Sequence, residues 1–286
     1  MLTLGLFPNI KKAQAEAVAE RIEAYLKERS IRVVVPAEAG EIMDFPTLNC
    51  SPVGLKDVDI VLTLGGDGTF MNVARTIAPQ KIPVCGVNLG KLGFLTEVEL
   101  NEVEAALESL LSGQYRVEER LMLQAAVENK SGCSQAIALN DIVVTKSGYS
   151  RIIRLNLFVN DVYTATYPAD GLIISTPTGA TAYSLSAGGP FVEPNLNIMV
   201  ITPICSHTLY SRSLIVSGDD VIRISLEETS ADVVLSADGQ NLFPLEGNSQ
   251  VVIRRADDQA RFIRFHDKSY FDILRNKLCR GDSCDS

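Results

Sequence analysis

Histidine and cysteine, the residue types that most often build metal centres and covalent cross-links, are scarce in this sequence. Only two histidines occur in 286 residues, and six cysteines are spread too thinly along the chain for a disulfide scaffold. This scarcity disfavours a structural zinc site. We expect reduced thiols in a cytoplasmic protein, and no dedicated protein site for a metal.

Long apolar runs and an excess of positive charge are also missing. The apolar stretches, such as Ile198–Cys205, are far shorter than the ~20 residues that a membrane-spanning helix needs. Acidic residues outnumber basic ones by 35 to 26, so the formal charge is −9. Nucleic-acid binding needs a cationic face, and this balance disfavours it. We expect neither membrane nor nucleic acid as a partner, although local basic patches could still bind phosphorylated small molecules.

The first 114 residues alternate between strand and helix patterns. The predicted strands are Leu2–Phe7, Ile31–Val35, Val58–Leu64 and Ile82–Val87, and the predicted helices are Asn9–Arg29, Phe70–Ile77 and Val103–Leu111, with a loop over Ala37–Lys56. Asn9 is the predicted cap of the first helix. Strands that alternate with helices at this spacing predict a doubly wound α/β domain over residues 1–114.

Short strand patterns separated by turn residues dominate residues 115–266. The predicted strands are Gln124–Val127, Ala138–Thr145, Ile152–Val159, Leu172–Ser175, Ile198–Thr202, Val221–Leu226, Asp232–Ser236 and Val251–Arg254. One helix is predicted over Ala180–Ala187. The pattern therefore predicts a β-rich second domain, followed by a last helix over roughly Lys268–Leu278 that packs back on the first domain.

The segment GGDGT, residues 65–69, lies between a predicted buried strand and a predicted helix. Two glycines allow a tight turn, and the exposed N–H groups at a helix N-terminus suit phosphate oxygens. The segment is not a dinucleotide fingerprint, because Met71 stands where the third glycine would be, and Gly86–Leu92 is one residue too short for a P-loop. We predict a phosphate-binding loop formed by Gly65, Gly66, Gly68 and Thr69.

Asp67 is the unusual member of this loop. A carboxylate among phosphate-binding amides would repel phosphate unless it held a metal or accepted a proton from a substrate hydroxyl. The alternative is an aspartate that only bonds the backbone of its own turn.

A second cluster, DGLIISTPTGATAYSLSAGGP, spans Asp170–Pro190. An apolar strand leads into a turn rich in threonine and glycine, and a helix begins there. Small hydroxyl residues offer donors and acceptors and leave room for a ligand, although composition alone also fits an elaborate helix cap.

These segments together resemble bacterial NAD kinase. The matching motifs are GGDGT at 65–69, NLGKLGFLTE at 88–97, the pair Asn140–Asp141, the 170–190 cluster, ITPICSHTLYSRSLIV at 201–216 and SADGQ at 236–240. The first motif alone is weak, because lipid kinases and phosphofructokinases carry similar glycine–aspartate loops. The long second cluster, in the right order, is highly specific.

The resemblance implies transfer of phosphate from ATP to the 2′-hydroxyl of the adenosine ribose of NAD, which gives NADP. It also implies a divalent cation, magnesium, with the ATP, a fold like that of NAD kinase and diacylglycerol kinase, and a homodimer or homotetramer. By this analogy Asp67 is the general base, and Gly65, Gly66, Gly68 and Thr69 form the phosphate and ATP loop. The NAD-binding residues would be Asp67, Gly68, Asn72, Asn140, Asp141, Arg151, Asp170, Thr181, Ala182, Tyr183, Ser184, Leu185, Ser186 and Gln240.

Four positions depart from the family pattern. Asp141 stands where glutamate is usual, Pro168 replaces a residue that is commonly basic, Ala180 replaces serine, and Asn72 lacks a cationic head. None of the four is the proposed base, so we interpret them as changes in affinity or in the choice of phosphate donor.

Two other functions remain open at this stage. A lipid kinase with the same glycine–aspartate loop would need attraction to anionic lipid, and the chain shows no basic amphipathic helix for it. A non-catalytic NAD(H)-sensing module would keep the pocket, but it has no need for the carboxylate of Asp67.

Overall fold

The structure, a computed structural model, describes residues 2–37, 39, 47–48, 54–90, 93–129, 132–148, 152–208, 211–227, 232–265 and 269–279. Within them the chain forms two compact units, one of Met1–Glu119 with Ala260–Ser286 and the other of Arg120–Gln259. No helix in these ranges is long and apolar enough to cross a membrane.

The first unit contains a seven-stranded sheet with helices on both faces. Its strands are β1 (Thr3–Pro8), β2 (Arg32–Pro36), β3 (Thr47–Leu48), β4 (Ile60–Gly65), β5 (Pro83–Asn88), β6 (Arg116–Arg120) and β19 (Ala260–Arg264). Its helices are α1 (Ala15–Lys27), α2 (Asp67–Ile77), α3 (Val103–Leu111) and α5 (Tyr270–Cys279). The predicted doubly wound α/β architecture is confirmed.

The strand order in this sheet is β3-β2-β1-β4-β5-β19-β6. The chain runs from β1 outward to β2 and β3, and it then returns to β4 on the other side of β1, with parallel pairing throughout β2-β1-β4-β5. Such a reversal of strand order opens a crevice at the carboxyl ends of the two neighbouring strands, where doubly wound sheets bind their ligands. The crevice here lies between the loop after β1 and the loop after β4.

The two faces of the sheet are covered by different helices. Apolar residues of α1 and α3, including Ile22 and Leu107, share one core with Leu62 of β4. On the other face Phe70 of α2 meets Phe262 of β19 edge to face, with ring centroids 4.7 Å apart. The alternation of Phe262 and Ile263 between the two faces follows from the two-residue period of a strand.

The second unit is built from two six-stranded antiparallel sheets that enclose one core. Their strands are β7 (Leu123–Asn129), β8 (Gly132–Ala138), β9 (Asp141–Lys146), β10 (Ile153–Val159), β11 (Val162–Ala169), β12 (Gly171–Ser175), β13 (Ile198–Ile204), β14 (Leu214–Ser217), β15 (Ile222–Leu226), β16 (Val233–Ala237), β17 (Gln240–Leu245) and β18 (Gln250–Arg255). The orders are β11-β10-β15-β18-β7-β8 and β14-β13-β12-β9-β16-β17. The predicted β-rich domain is confirmed.

The core of this unit contains every second residue of the strands in both sheets. Leu155 and Leu157 of the first sheet pack against Ile142, Leu172 and Ile174 of the second, all fully buried. The opposite face of the second sheet, with Val143 and Ile173, is covered by the segment that follows β12. That segment contains a short 3-10 turn and then α4 (Tyr183–Ser186), so the helix predicted over Ala180–Ala187 is a single turn.

Two further predicted elements differ from the structure for identifiable reasons. The first helix begins at Ala15 and not at Asn9, because the Asn9 side chain accepts from the Lys11 N–H and donates to Thr69 at 3.1 Å. The predicted strand Ala138–Thr145 is two strands, since the backbone at 139–141 leaves the ladder to bind the carboxylate of Asp238.

The boundaries between the compact units also differ from the predicted 114/115 and 266/267. Strand β19 pairs in parallel with β5, so residues from Ala260 onward belong to the first unit. The last helix, α5, lies in the same unit, where the Lys277 ammonium is 4.4 Å from the centre of the Phe94 ring.

Candidate functional site

The GGDGT loop is fixed by close packing at its start and is open in the middle. A Cβ atom on Gly65 would lie 2.4 Å from the Thr69 hydroxyl oxygen, so only glycine fits there. A Cβ on Gly68 would meet nothing within 4 Å. Helix α2 begins at Asp67, directly after Gly66 in an extended conformation, so its first N–H groups face outward as a phosphate site requires.

The Asp67 carboxylate accepts hydrogen bonds from a distant segment and not from its own turn. Oδ2 accepts from the Phe94 N–H at 2.7 Å. Oδ1 accepts from the N–H groups of Leu95 and Thr96 and from the Thr96 hydroxyl, each at 3.2 Å. A carboxylate has about four lone-pair sites, so Oδ2 keeps a direction in which it can accept a further proton or hydrogen bond.

The segment that holds Asp67 is itself anchored by a buried ion pair. A Cβ on Gly93 would collide with the Asp67 carboxylate, which therefore sits directly on this backbone. Arg264 of β19 donates to the Leu95 carbonyl at 2.9 Å and to the Glu97 carboxylate at 3.2 Å. Both side chains are less than 10% exposed, so the pair is strongly shielded from water.

Asn72 lies on the exposed side of α2, one turn after the loop. Its side-chain oxygen accepts from the Arg75 guanidinium at 3.1 Å. Asn72 has no cationic group, but Arg75, three residues later on the same face of the helix, places a guanidinium beside it.

In the second unit, three separately predicted motifs meet at the backbone of residues 139–141. The Asp238 carboxylate, from the SADGQ motif, accepts from the N–H groups of Leu139 at 2.9 Å, Asn140 at 2.7 Å and Asp141 at 3.2 Å. The Asp238 N–H donates in return to the Asp141 carbonyl at 3.0 Å. Asp238 adopts a left-handed conformation, φ 52°, which turns its side chain and its N–H toward the same partner.

The threonine- and glycine-rich turn binds the same backbone from the other side. The Thr176 hydroxyl donates to the Leu139 carbonyl at 2.7 Å, and the Thr176 N–H donates to the Asn140 carbonyl at 2.8 Å. A Cβ on Gly179 would lie 2.1 Å from that same Asn140 oxygen. The turn can therefore follow Asn140 closely only because residue 179 is glycine.

Asp141 is a buried carboxylic acid, 4% exposed, at the start of β9. Burial, together with the smaller effect of the negative charge on the nearby Asp238, raises the pKa of Asp141 to about 7. No group in the described part of the chain donates a hydrogen bond to its carboxylate. The site thus contains an acid whose charge changes near neutral pH and which can accept a hydrogen bond from a ligand hydroxyl.

Asp170 lies at the other end of the same pair of strands. It precedes β12, whose residue Ser175 pairs with Asp141, so Asp170 and the partner of Asp141 are five positions apart along the strand, roughly 17 Å at 3.3 Å per residue. The Lys146 ammonium binds the Asp170 carboxylate at 2.7 Å. The predicted dinucleotide contacts are therefore spread along β12.

Tyr183 lies in the electrostatic field of both carboxylates. Burial raises the pKa of its hydroxyl, and charges on Cys205, Asp141 and Asp170 raise it further. The residue is nevertheless 45% exposed, so a ligand can reach it. The structure thus brings Tyr183 near both Asp141 and Asp170.

The remaining predicted residues differ in accessibility. Ser184 is fully buried, and its hydroxyl bonds Thr202 at 2.9 Å, so it ties the turn to the sheet. The half-buried members are Thr181, Ala182 and Leu185, and the exposed ones are Ser186 and Gln240. Arg151 lies outside the described residues.

Several residues at these sites were missed by sequence reasoning. Asp238, Gly93 and Arg264 hold the backbone of the site, while Lys146 and Lys12 are cations beside predicted ligand contacts. Their partners are 24 to 169 residues away, so no local pattern identifies them. The only signal was that Asp238 and Gly93 lie inside quoted motifs, SADGQ and NLGKLGFLTE. Within the described residues, no three histidine, cysteine, aspartate or glutamate side chains form a group that could hold a metal ion.

Comparisons with known proteins give one consistent result. The family described as the ATP-NAD kinase N-terminal domain matches residues 4–115, and the ATP-NAD kinase C-terminal domain matches residues 139–265. A protein of Moorella thermoacetica named NAD kinase is 44% identical over 283 residues, which is 99% of this chain and 91% of that protein. An NAD kinase of Thermoanaerobacter sp. strain X514 is 43% identical over 97% of this chain and 99% of its own length.

Two solved structures share the fold. A crystal structure of yeast NADH kinase complexed with NADH has a TM-score of 0.88 at 22% identity, and it covers 100% of this chain and 89% of that one. An NAD kinase from Archaeoglobus fulgidus in complex with ATP has a TM-score of 0.75 at 25% identity, with coverage of 97% and 98%.

Replacing Asp141 by asparagine should change how stability depends on pH. Because the folded pKa of about 7 exceeds the ordinary 3.8, the unfolded chain ionises first, and stability falls as pH rises between these values. Asparagine cannot ionise, so we expect its advantage over wild type to grow by roughly 2 kcal/mol between pH 5.5 and 8.5. Urea unfolding at both pH values measures this, with Asp257→Asn, an exposed position, as the control. An unchanged difference between the two pH values would contradict the raised pKa.

Gly179→Ala should disrupt the second site, because the added methyl group collides with the Asn140 backbone, which cannot move aside as a side chain can. We expect a loss of about 1–3 kcal/mol or more in the free energy of unfolding. Gly68→Ala is the matched control, since its methyl group enters open space. Thermal unfolding of the two variants side by side tests this, and equal melting temperatures would show that the close approach is wrong.

Proposed function

The chain belongs to the ATP-NAD kinase family, and on that premise we propose that it transfers the γ-phosphoryl group of ATP to the 2′-hydroxyl of the adenosine ribose of NAD, with Asp67 as the general base. The observation that carries the proposal is the position of Asp67. Asp67 is the first residue of α2, in the loop whose amides suit phosphate, and within the described part of the chain its Oδ2 accepts one N–H.

The proposed reaction is an in-line phosphoryl transfer. The bond between the ribose O2′ and the γ-phosphorus forms while the bond from that phosphorus to the bridging oxygen of ADP breaks, and ADP leaves with the electron pair. The O2′ proton passes to Asp67 Oδ2. In a loose transition state the protein mainly positions the reactants and neutralises charge, and a well-placed base contributes on the order of 10²–10⁴ in rate.

The loop residues Gly65, Gly66, Gly68 and Thr69 are proposed to hold the donor phosphates. Gly68 supports this role because a Cβ there would meet nothing within 4 Å, so a phosphate can approach the backbone on that side. A divalent cation, magnesium in our proposal, would enter with ATP as its ligand and neutralise phosphate charge. The loop fits such a partner without a dedicated protein ligand, because magnesium takes phosphate oxygens and waters as ligands, and the free direction of Asp67 Oδ2 stays available for the proton.

NAD is proposed to bind along β12 of the second unit. The Asp141 carboxylate would accept a ribose hydroxyl, Asn140 and Tyr183 would add hydrogen bonds, and Asp170 would hold the far end. The roughly 17 Å along the strand between Asp141 and Asp170 supports an extended dinucleotide. Gly68, Asn72, Arg151, Thr181, Ala182, Ser184, Leu185, Ser186 and Gln240 remain proposed contacts on the strength of the family pattern. We also propose a cytoplasmic homodimer or homotetramer.

The decisive experiment measures NADP formation from the purified protein with NAD, ATP and magnesium. We expect turnover by the wild type. A folded protein that binds NAD and forms no NADP would support the NAD(H)-sensing alternative, and phosphorylation of a diacylglycerol-like lipid in place of NAD would support the lipid kinase. Either result would overturn the proposal.

Asp67→Asn should lower kcat by about 10²–10⁴ and change the Kd for NAD little, because the amide cannot accept the proton. The structure adds a complication, since the asparagine N–H₂ would face the N–H donors of residues 94–96. Thr96→Val is therefore the control, because it removes one donor to Asp67 and leaves the base in place. We expect Thr96→Val to keep most of its turnover. A loss as deep as that of Asp67→Asn would mean that loop geometry, and not proton transfer, explains the defect.

A further inference from the structure

Lys12 is a cation that lies at the same crevice as the GGDGT loop. It belongs to the segment that leaves β1, and hydrogen bonds on both sides fix its backbone. The Asn9 N–H donates to the Leu64 carbonyl at 2.8 Å, the Lys12 N–H donates to the Asn9 carbonyl at 2.9 Å, and the Ala15 N–H donates to the Lys12 carbonyl at 2.9 Å. The side chain of Asn9 adds a bond to Thr69. The loop after β1 is thus tied directly to the loop after β4.

The Lys12 ammonium lies over two glycines that follow neighbouring strands. A Cβ on Gly90, after β5, would be 3.2 Å from Nζ, and a Cβ on Gly66, after β4, would be 4.0 Å away. The Leu89 N–H donates to the Gly65 carbonyl at 2.7 Å, which holds these two loops together. Because neither glycine has a side chain, the backbone leaves the ammonium uncovered.

No carboxylate balances this charge within the described residues, where Lys12 forms no ion pair. The nearest loop does contain an acid, Asp67, but its carboxylate is turned toward the N–H groups of residues 94–96. A half-buried ammonium beside outward-facing backbone N–H groups makes a locally positive site in a chain whose net charge is −9. Such a site favours a multiply charged anion.

The reversal of strand order between β1 and β4 indicates where the ligand of this sheet binds. Ligands of doubly wound sheets bind at this crevice, and Lys12 and the GGDGT loop are on its two sides. We propose that Lys12 binds the phosphate groups of ATP and stabilises the charge on the phosphoryl group as it is transferred. This proposal rests on the proposed function, since it assigns a further residue to the donor side of that reaction.

The test compares Lys12→Met with Lys11→Met in the full-length protein. Methionine keeps an unbranched stem and removes the charge, and Lys11 is an exposed neighbour whose own contact is a backbone bond to Asn9. We expect Lys12→Met to raise the KM for ATP by at least ~10-fold and to lower kcat, with the KM for NAD unchanged. Lys11→Met should match the wild type, and both variants should keep the wild-type melting temperature. Wild-type kinetics for ATP in Lys12→Met, or an effect on NAD alone, would overturn the proposal.

Direct binding separates this proposal from the proposed function. The Kd for ATP and for inorganic tripolyphosphate, measured by calorimetry without NAD, does not depend on turnover. Loss of both ligands in Lys12→Met and not in Lys11→Met would place Lys12 on the phosphates even if no NADP were formed. If Lys12→Met bound ATP more weakly but tripolyphosphate as well as the wild type, Lys12 would contact the nucleoside and not the phosphates. If the wild type and both variants bound the two ligands equally, Lys12 would not belong to the donor site. Either result would overturn the proposal.

Discussion

Both units build their sites around one aspartate whose carboxylate accepts hydrogen bonds from three consecutive backbone N–H groups. Asp67 holds residues 94–96, and Asp238 holds residues 139–141. A buried N–H group without an acceptor is costly, and a carboxylate can satisfy several at once because it offers about four lone pairs. The conformation of each loop therefore depends on a side chain that lies 27 residues or nearly 100 residues away in the chain.

The glycines of these motifs follow from the same constraint. Gly65, Gly93 and Gly179 each lie where a Cβ atom would strike a neighbour at 2.4 Å or less. Close packing, and not backbone flexibility, requires glycine at these three positions. Gly68 differs, since nothing surrounds it, and this contrast separates the glycines that shape the site from the one that a ligand can approach.

The sequence predicted local features well and long-range partners poorly. Strand and helix periodicity located most of the elements, and it placed GGDGT at the end of a buried strand, because these features depend on neighbouring residues. Asn9 shows the limit of local reasoning. A cap at this position was a sound local inference, but the side chain of Asn9 donates a hydrogen bond to Thr69, 60 residues further along the chain. The continuous strand over Ala138–Thr145 failed for the same reason, since the acceptor that interrupts it is Asp238. The contacts of Asp67 could not be predicted until residues 94–96 were placed.

Burial and the neighbouring Asp238 together explain why ionised Asp141 lowers the stability of the free protein near neutral pH. Burial removes the water that would solvate the Asp141 carboxylate, and Asp238, by binding the N–H groups of 139–141, places a second carboxylate close to it. An apolar residue would avoid that cost, but it could not accept a hydrogen bond. A ligand hydroxyl that donates to Asp141 would stabilise its charged form. Part of the free energy of unfolding that the buried charge removes would therefore be restored when the ligand binds. Folding stability and ligand affinity are therefore linked through one carboxylate, and a variant that improves the first at neutral pH is expected to weaken the second.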